Sequence, residues 1–241
     1  MAGICRAKTF AARRWQSEKG RTVVDAEVGV ARADGPRMPL VECLRVLRAV
    51  RGEAVVISCM GNSREWQSIS DHPLDFHYVP SSMGQASSLG LGLALALPQT
   101  RVIVLNGDGS TLMNLGSLVT IGARGPANLT LIVVDNGVYE VTGGQPHCGA
   151  APARADGKDL AFDAIARVAG FVNAYRFEKL SDWSDRAAEV VASTGPTFVL
   201  WRVWPIRENF APRSPGNGPA RAAAFRRELA ARRTTERAGG P

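Results

Sequence analysis

The sequence predicts an α/β fold: a doubly wound, mainly parallel sheet with helices on both faces. Three observations predict it. Short, uninterrupted apolar runs recur along the chain, segments with helical spacing lie between them, and several runs end in turns rich in glycine and small polar residues. A strand buried on both faces reads as a continuous apolar run, the mark of a parallel sheet between helical layers.

The elements follow in order. Met38 to Val50 has apolar residues at helical spacing and predicts an amphipathic helix. Ala54 to Cys59 predicts a strand ending at the turn Gly61-Asn62-Ser63. Gly84 to Leu97 predicts a buried helix whose small residues, Gly84, Ala86, Gly90 and Gly92, let it lie close to the sheet, with Pro98 stopping it. Arg101 to Asn106 is the second strand and Gly107-Asp108-Gly109 the turn leaving it. Ser110 caps the next helix, Thr111 to about Ala123. Leu129 to Asp135 is the third strand. After a Gly-rich loop come a helix near 159–169, a strand near 171–177, a helix near 181–193 and a strand over Thr197 to Val203. Pro212 to Pro219 reads as a linker, and 220–234 as a basic terminal helix.

Composition narrows the function. A hydrophobic share of 45% supplies a sizeable core and excludes a wholly disordered chain. The longest apolar stretch, Leu89 to Leu97, is too short to span a membrane. Cys5, Cys43, Cys59 and Cys148 form no CxxC pair, so neither a disulfide framework nor a zinc site is expected, and a cytoplasmic location is. The net charge of +7 lies in the ends. Residues 1–37 carry eight basic and four acidic groups, residues 211–241 seven and two, and the middle fourteen and sixteen. A basic stripe for nucleic acid is therefore not expected. The Arg-rich first twenty residues loosely resemble a transit peptide, but arginine outnumbers lysine 25 to 4 in the whole chain, and compositional bias accounts for them. This divides the chain into a basic N-terminal extension (1–37), a core domain (38–210) and a basic C-terminal tail (211–241).

In an open parallel sheet, ligands bind at the carboxyl ends of the strands. Three turns there carry glycine and short oxygen-bearing side chains: Gly61-Asn62-Ser63, Gly107-Asp108-Gly109-Ser110 and Asp135-Asn136-Gly137. Gly109 lets backbone approach an anion, and Ser110 and Thr111 open a helix whose free N–H groups attract phosphate. Asp108 would repel a bare phosphate and makes sense with a cation between them. Magnesium takes six oxygens, usually one or two carboxylates with phosphates and water. Asn136 follows Asp108 by 28 residues, one helix and one strand later, which places the two on neighbouring strand ends. A Walker A loop is excluded, since no lysine lies between positions 20 and 157, and Leu112 stands where a dinucleotide fingerprint needs its third glycine.

These residues bring a family into view. Gly107-Asp108-Gly109-Ser110 followed by Asp135-Asn136 resembles the thiamine diphosphate motif that begins with GDG and ends with Asn. The segments GNSREW (61–66), SSMGQASSLGLGLAL (81–95), LNGDGSTLMNLGSL (105–118) and VDNGVYEVTGGQ (134–145) resemble the diphosphate-binding domain of the sulfopyruvate and phosphonopyruvate decarboxylases. The likeness spans about residues 38–210.

The resemblance implies thiamine diphosphate and magnesium as cofactors. The metal ligands would be Asp108, Asn136 and the backbone carbonyl of Val138. Gly107, Gly109, Ser110, Asn62, Ser63 and Gly84 would line the cofactor, and Met83 would prop it in its bent shape. The substrate implied is a small anionic 2-oxo acid, sulfopyruvate first and phosphonopyruvate second; the alternatives are another split 2-oxo acid decarboxylase or carboligase, and a non-catalytic subunit that binds the cofactor. In this family a glutamate on a separate pyrimidine-binding domain activates the cofactor. The likeness leaves no room for that domain, so the chain is expected to be a beta-type subunit in a hetero-oligomer with an alpha-type partner. Glu140 follows the metal-binding turn and is not that glutamate. His147, after Gly143-Gly144-Gln145, is the candidate for facing substrate, as an anion ligand or proton shuttle.

Overall fold

The computed structural model describes residues 36–206 and 215–238, the last helix with side chains through Arg232. Most of the expected N-terminal extension and residues 207–214 lie outside the described residues.

The chain enters through α1 (Leu40–Val50), then β1 (Val55–Cys59), α2 (Met60–Ile69), β2 (Asp75–Tyr78) and α3 (Ala86–Ala96). It continues through β3 (Val102–Gly107), α4 (Asp108–Met113), α5 (Gly116–Arg124) and β4 (Leu129–Asp135). A small hairpin follows, β5 (Val138–Tyr139) with β6 (Gln145–Pro146). The rest is α6 (Phe162–Val168), β7 (Asn173–Phe177), α7 (Leu180–Ala192), β8 (Thr197–Arg202) and α8 (Gly218–Ala238).

Six strands form one sheet in the order β2-β1-β3-β4-β8-β7, parallel throughout. All residues of β1, β4 and β8 are buried, as their apolar runs require. Alternate strand residues feed two cores. Ile57, Val104 and Leu131 face α3, α5, α6 and α8, while Val56, Ile103 and Ile132 face α1, α2 and α7. Trp66, Trp183 and Trp201 are fully buried in the second core. Each such side chain contributes about 2–3 kcal/mol on leaving water. Trp183 meets Trp201 edge to face, with ring centroids 4.9 Å apart.

Three features differ from the sequence reading. Gly61-Asn62-Ser63 lies inside α2, because the reversal from strand to helix is completed in one residue, Met60, at φ 53°. Gly107-Asp108-Gly109 is the end of β3 and the first turn of α4, and the single helix expected over 111–123 is broken into α4 and α5. Asn114 ends α4 and donates to the Gly84 carbonyl at 3.1 Å, in a space so tight that a Cβ on Gly84 would meet Asn114 at 2.7 Å. Strand β2 was not expected: it is a half-buried edge strand, Asp-Phe-His-Tyr, without an apolar run.

Both chain ends beyond the expected core contribute to it. Arg37 is buried and donates to the carbonyls of Asp135 and Val203, at 3.2 and 3.0 Å. Helix α8 docks through Phe225, which stacks on Phe76 at 4.9 Å, and Arg221 donates to the His77 and Val79 carbonyls of the edge strand and the loop after it. Covering an edge in this way removes a template for unwanted strand pairing.

Candidate active site

The strand order reverses direction between β1 and β3: the chain steps outward from β1 to β2, then returns to add β3 and β4 on the other side. The loops diverge at such a point and leave a crevice at the carboxyl ends. A cleft of about 360 Å³ sits there, within the size range of ligand pockets.

Its walls come from four places. The start of α2 gives Met60, Gly61 and Asn62, and the loop before α3 gives Met83. The β3–α4 junction gives Gly107, Asp108, Gly109 and Ser110, and the loop after β4 gives Asn136, Val138, Tyr139 and Glu140. Most of the residues expected from sequence thus meet at one cleft. Gly84 and Ser63 stand just behind it. Gly84 takes φ 87°, and the Ser63 hydroxyl donates to Ser58 at 3.2 Å, which in turn bonds His77 Nδ1 at 3.0 Å.

Local sequence explains the close assembly. Gly109 lets the Tyr139 ring pack directly on the backbone, since a Cβ there would lie 2.4 Å from that ring. Asn106, fully buried, accepts from the Cys59 thiol at 3.1 Å and donates to Ser87 and Thr111 at 3.3 and 3.0 Å. One side chain therefore joins the ends of β1 and β3 to α3 and α4. The Asn136 side-chain oxygen accepts the Val138 N–H at 3.0 Å, closing a turn through Gly137 at φ 82°.

Asp108 is 3% exposed. Its Oδ1 accepts the Gly109 N–H at 2.6 Å, and its Oδ2 accepts the Gly137 N–H at 2.8 Å and faces His147 Nε2 at 3.1 Å. Burial, with Asp135 nearby, pushes the Asp108 pKa up despite these bonds. Burial also works against the Asp135 charge, but His147 and Arg202 overcome it and hold that carboxyl below its usual value. Behind Asp135, Arg202 pairs with both Asp135 and Asp159, and Arg37 lies 3.8 Å from Asp159.

His147 does not line the cleft: it is 1% exposed and lies behind Asp108, with Nε2 also 3.9 Å from Asp135. Burial lowers its pKa, and the two carboxylates outweigh that and raise it to about 9. The Gly149 N–H, however, is aimed at Nδ1 from 3.0 Å, a bond that an imidazolium cannot accept. That backbone donor opposes the carboxylates' pull toward the charged ring, and Nε2, facing Asp108 Oδ2, carries a proton in either state.

The sequence reading missed Met60, Met113 and Gln145 as cleft residues and gave Tyr139 no place in its wall, whereas Glu140, expected in the cofactor loop, does line it. Glu140 accepts the Ile206 N–H at 3.2 Å, and burial, with Asp108 and Glu65 nearby, raises its pKa. A charged residue in a loop flanked by glycines was a usable signal for Glu140. Met60 and Met113 offered none, as apolar residues at element ends usually mark core.

The donor set fits a hard divalent cation. Asp108, Asn136 and Val138, from adjacent walls of the cleft, carry oxygen, the ligand type that magnesium takes. A buried carboxylate with a raised pKa is also a group that such a cation would stabilise in its charged form. Asp108, Asp135 and His147 have ligand atoms all within 4.8 Å of one another.

Comparison with known proteins agrees with this geometry. Residues 59–200 match the family described as thiamine pyrophosphate enzyme, C-terminal TPP binding domain. The chain is 37% identical over 191 residues to a phosphonopyruvate decarboxylase of Streptomyces viridochromogenes, covering 79% of this chain and 45% of that protein. It is 42% identical over 160 residues to the sulfopyruvate decarboxylase subunit beta of Methanothermobacter thermautotrophicus, covering 66% of this chain and 78% of that subunit. The chain thus spans less than half of the phosphonopyruvate decarboxylase and most of the beta subunit. Among solved structures, a thiamine diphosphate-dependent 4-hydroxybenzoylformate decarboxylase of Rhodococcus jostii RHA1 superposes with a TM-score of 0.57 at 19% identity, over 72% of this chain and 34% of that one. That likeness speaks to the fold.

Proposed function

Because the chain belongs to the thiamine pyrophosphate enzymes, carrying their C-terminal cofactor-binding domain, we propose that it is the diphosphate-binding subunit of a 2-oxo acid decarboxylase. The substrate is sulfopyruvate, released as sulfoacetaldehyde and carbon dioxide. The observation that carries this reading is the meeting of the Gly107-Asp108-Gly109 and Asp135-Asn136-Gly137 segments at adjacent strand ends, on one cleft.

Asp108, Asn136 and the Val138 carbonyl hold magnesium, and through it the cofactor's diphosphate. Asn62, Gly107, Gly109 and Ser110 line the diphosphate's bed, and Met83 supports the ring portion. When bound, thiamine diphosphate supplies the carbanion and the electron sink that decarboxylation needs. This chain's contribution is orientation and electrostatics: the Tyr139 ring against Gly109 fixes the loop, and Met60, Met83 and Met113 give the cleft apolar lining.

The activating glutamate comes from an alpha-type partner with the pyrimidine-binding domain. Cleft residues Met113 and Val141 are 56% and 65% exposed, which supports a missing wall on that side. Among the described residues no helix is long and apolar enough to cross a membrane. We place the hetero-oligomer in the cytoplasm. Phosphonopyruvate is the second reading, favoured by the 37% identity to an enzyme of that name.

The test is calorimetric titration of the chain with thiamine diphosphate and magnesium, with and without its partner, beside Asp108→Ala. Binding that requires magnesium, strengthens with partner and is lost in the variant supports the reading. Binding indifferent to magnesium and to Asp108 would overturn it. Product analysis then separates sulfoacetaldehyde from phosphonoacetaldehyde.

A further inference from the structure

We propose that His147 is a positioning residue, whose Nε2–H orients the Asp108 carboxylate for the divalent cation. This rests on the cofactor reading above and gives His147 a task other than meeting substrate.

Asp108 receives three hydrogen bonds, two from backbone N–H groups and one from the His147 ring. The backbone donors come from the loops that any such turn supplies. The imidazole is the specific addition. It sits between two buried carboxylates, 3.1 Å from Asp108 Oδ2 and 3.9 Å from Asp135 Oδ1. Two carboxylates this close repel each other when both are ionised. A donor lodged between them fixes the rotamer of the first and relieves that repulsion.

The ring itself is held on every side. Gly149 N–H bonds Nδ1, and a Cβ on Gly149 would lie 3.2 Å from two ring atoms. Tyr139 and Phe162 pack edge-on, with centroids 5.9 and 6.3 Å away. The His147 N–H donates to the Gly137 carbonyl at 3.3 Å, tying the histidine to the Asp135-Asn136-Gly137 turn. One residue thus connects both halves of the cation site from behind. Outer partners of this kind typically change metal affinity by about 10–100-fold when removed.

Two amide replacements separate the ring's two bonds. His147→Gln reaches as far as Nε2 and keeps a donor for Asp108. His147→Asn is one methylene shorter, keeps an acceptor for Gly149 N–H, and falls short of Asp108. We would follow Mn2+ binding by the loss of its free-ion paramagnetic resonance signal, at saturating thiamine diphosphate with the partner present. Wild type, both variants, His147→Leu and Asp108→Ala would be compared, with melting of each metal-free chain alongside.

The expected result is near-wild-type affinity in His147→Gln and about 10–100-fold weaker binding in His147→Asn and His147→Leu. Should His147→Leu fail to fold, the Gln and Asn pair decides alone. A purely structural histidine predicts the reverse order, Asn equal to or better than Gln, and overturns the proposal. Tighter binding in His147→Leu overturns it too, since the ring would then act as a competing positive charge. A wild-type chain that binds no Mn2+, or an Asp108→Ala chain that binds it equally well, overturns the cofactor reading itself.

Discussion

Helix α3 carries two interior glycines, and the structure gives them opposite predictions. Gly92 is exposed, with nothing within 4 Å of where its Cβ would be. Gly90 is buried, and its Cβ would lie 2.2 Å from Val104 Cγ2 on the central strand β3, with Leu129 and Ile57 at 3.6 and 3.7 Å. Alanine in a helix interior is favoured over glycine by about 0.8–1.0 kcal/mol. Gly92→Ala should collect that gain whole and raise the melting temperature by about 2–4 °C, the shift per kcal/mol for a domain of this size. Gly90→Ala collects the same gain, but Val104 must retreat by more than 1 Å, on the order of a full atomic radius of overpacking. Val104 is β-branched, fully buried and hemmed in by neighbouring strands, so the cost belongs near the top of the usual range of about 1–3 kcal/mol. The net effect is a loss of about 1–2 kcal/mol after the propensity gain is subtracted. Urea denaturation of both variants, fitted with a common slope, measures the difference, expected near 2–3 kcal/mol. Equal midpoints would refute the claim that α3 owes its approach to the sheet to Gly90.

Three further outcomes follow from the structure. Gly109→Ala should fold, because the half-buried Tyr139 ring it meets at 2.4 Å can swing aside, but cofactor affinity should fall at least about tenfold by calorimetry, the scale of a lost site contact; unchanged affinity would refute the role of that packing. Phe225→Ala should cost about 3 kcal/mol, the lower end for a buried phenylalanine, and lose α8 helicity by circular dichroism; a melting curve identical to wild type would mean that α8 is not held by Phe76. Burial lowers the His77 pKa, so between that lowered value and about 6.5 the unfolded chain binds more protons than the folded one and stability falls as the solution is acidified. His77→Gln should flatten the dependence of melting temperature on pH below 6.5, and an unchanged slope would assign the acid sensitivity elsewhere.

The buried strands were legible because their chemistry is redundant: every residue of Leu129–Asp135 but Thr130 and Asp135 is apolar, and the strand's limits came out as expected. The cleft's lining was legible for a different reason: glycine, aspartate and asparagine are ordinary turn residues one by one, but Asp108 and Asn136 lie one helix and one strand apart, which puts both on neighbouring strand ends. What stayed hidden depended on three-dimensional neighbours. Strand β2 has a composition that only an edge, covered by a helix more than a hundred residues later, makes sensible. His147 was singled out by type, but its direction depended on Gly149 and Phe162 closing over the ring, which no local pattern records. Met60 reversed the chain in one step, where the sequence suggested a three-residue turn.

The position of Arg37 has a practical consequence for anyone shortening the protein. A version trimmed to begin at Met38 would look harmless, since it removes a stretch of biased composition and keeps the whole first helix. It would also strip one of two guanidiniums that face the buried Asp135 and the partly buried Asp159. Arg202 would still hold both Asp135 and Asp159, but the carbonyls of Asp135 and Val203 would lose the Arg37 donor, and a buried polar group left without its partner costs about 1–3 kcal/mol. Such a trimmed chain should therefore weaken first behind the cleft, far from the cut in sequence, and its loss of cofactor could be mistaken for a fault in the cleft itself.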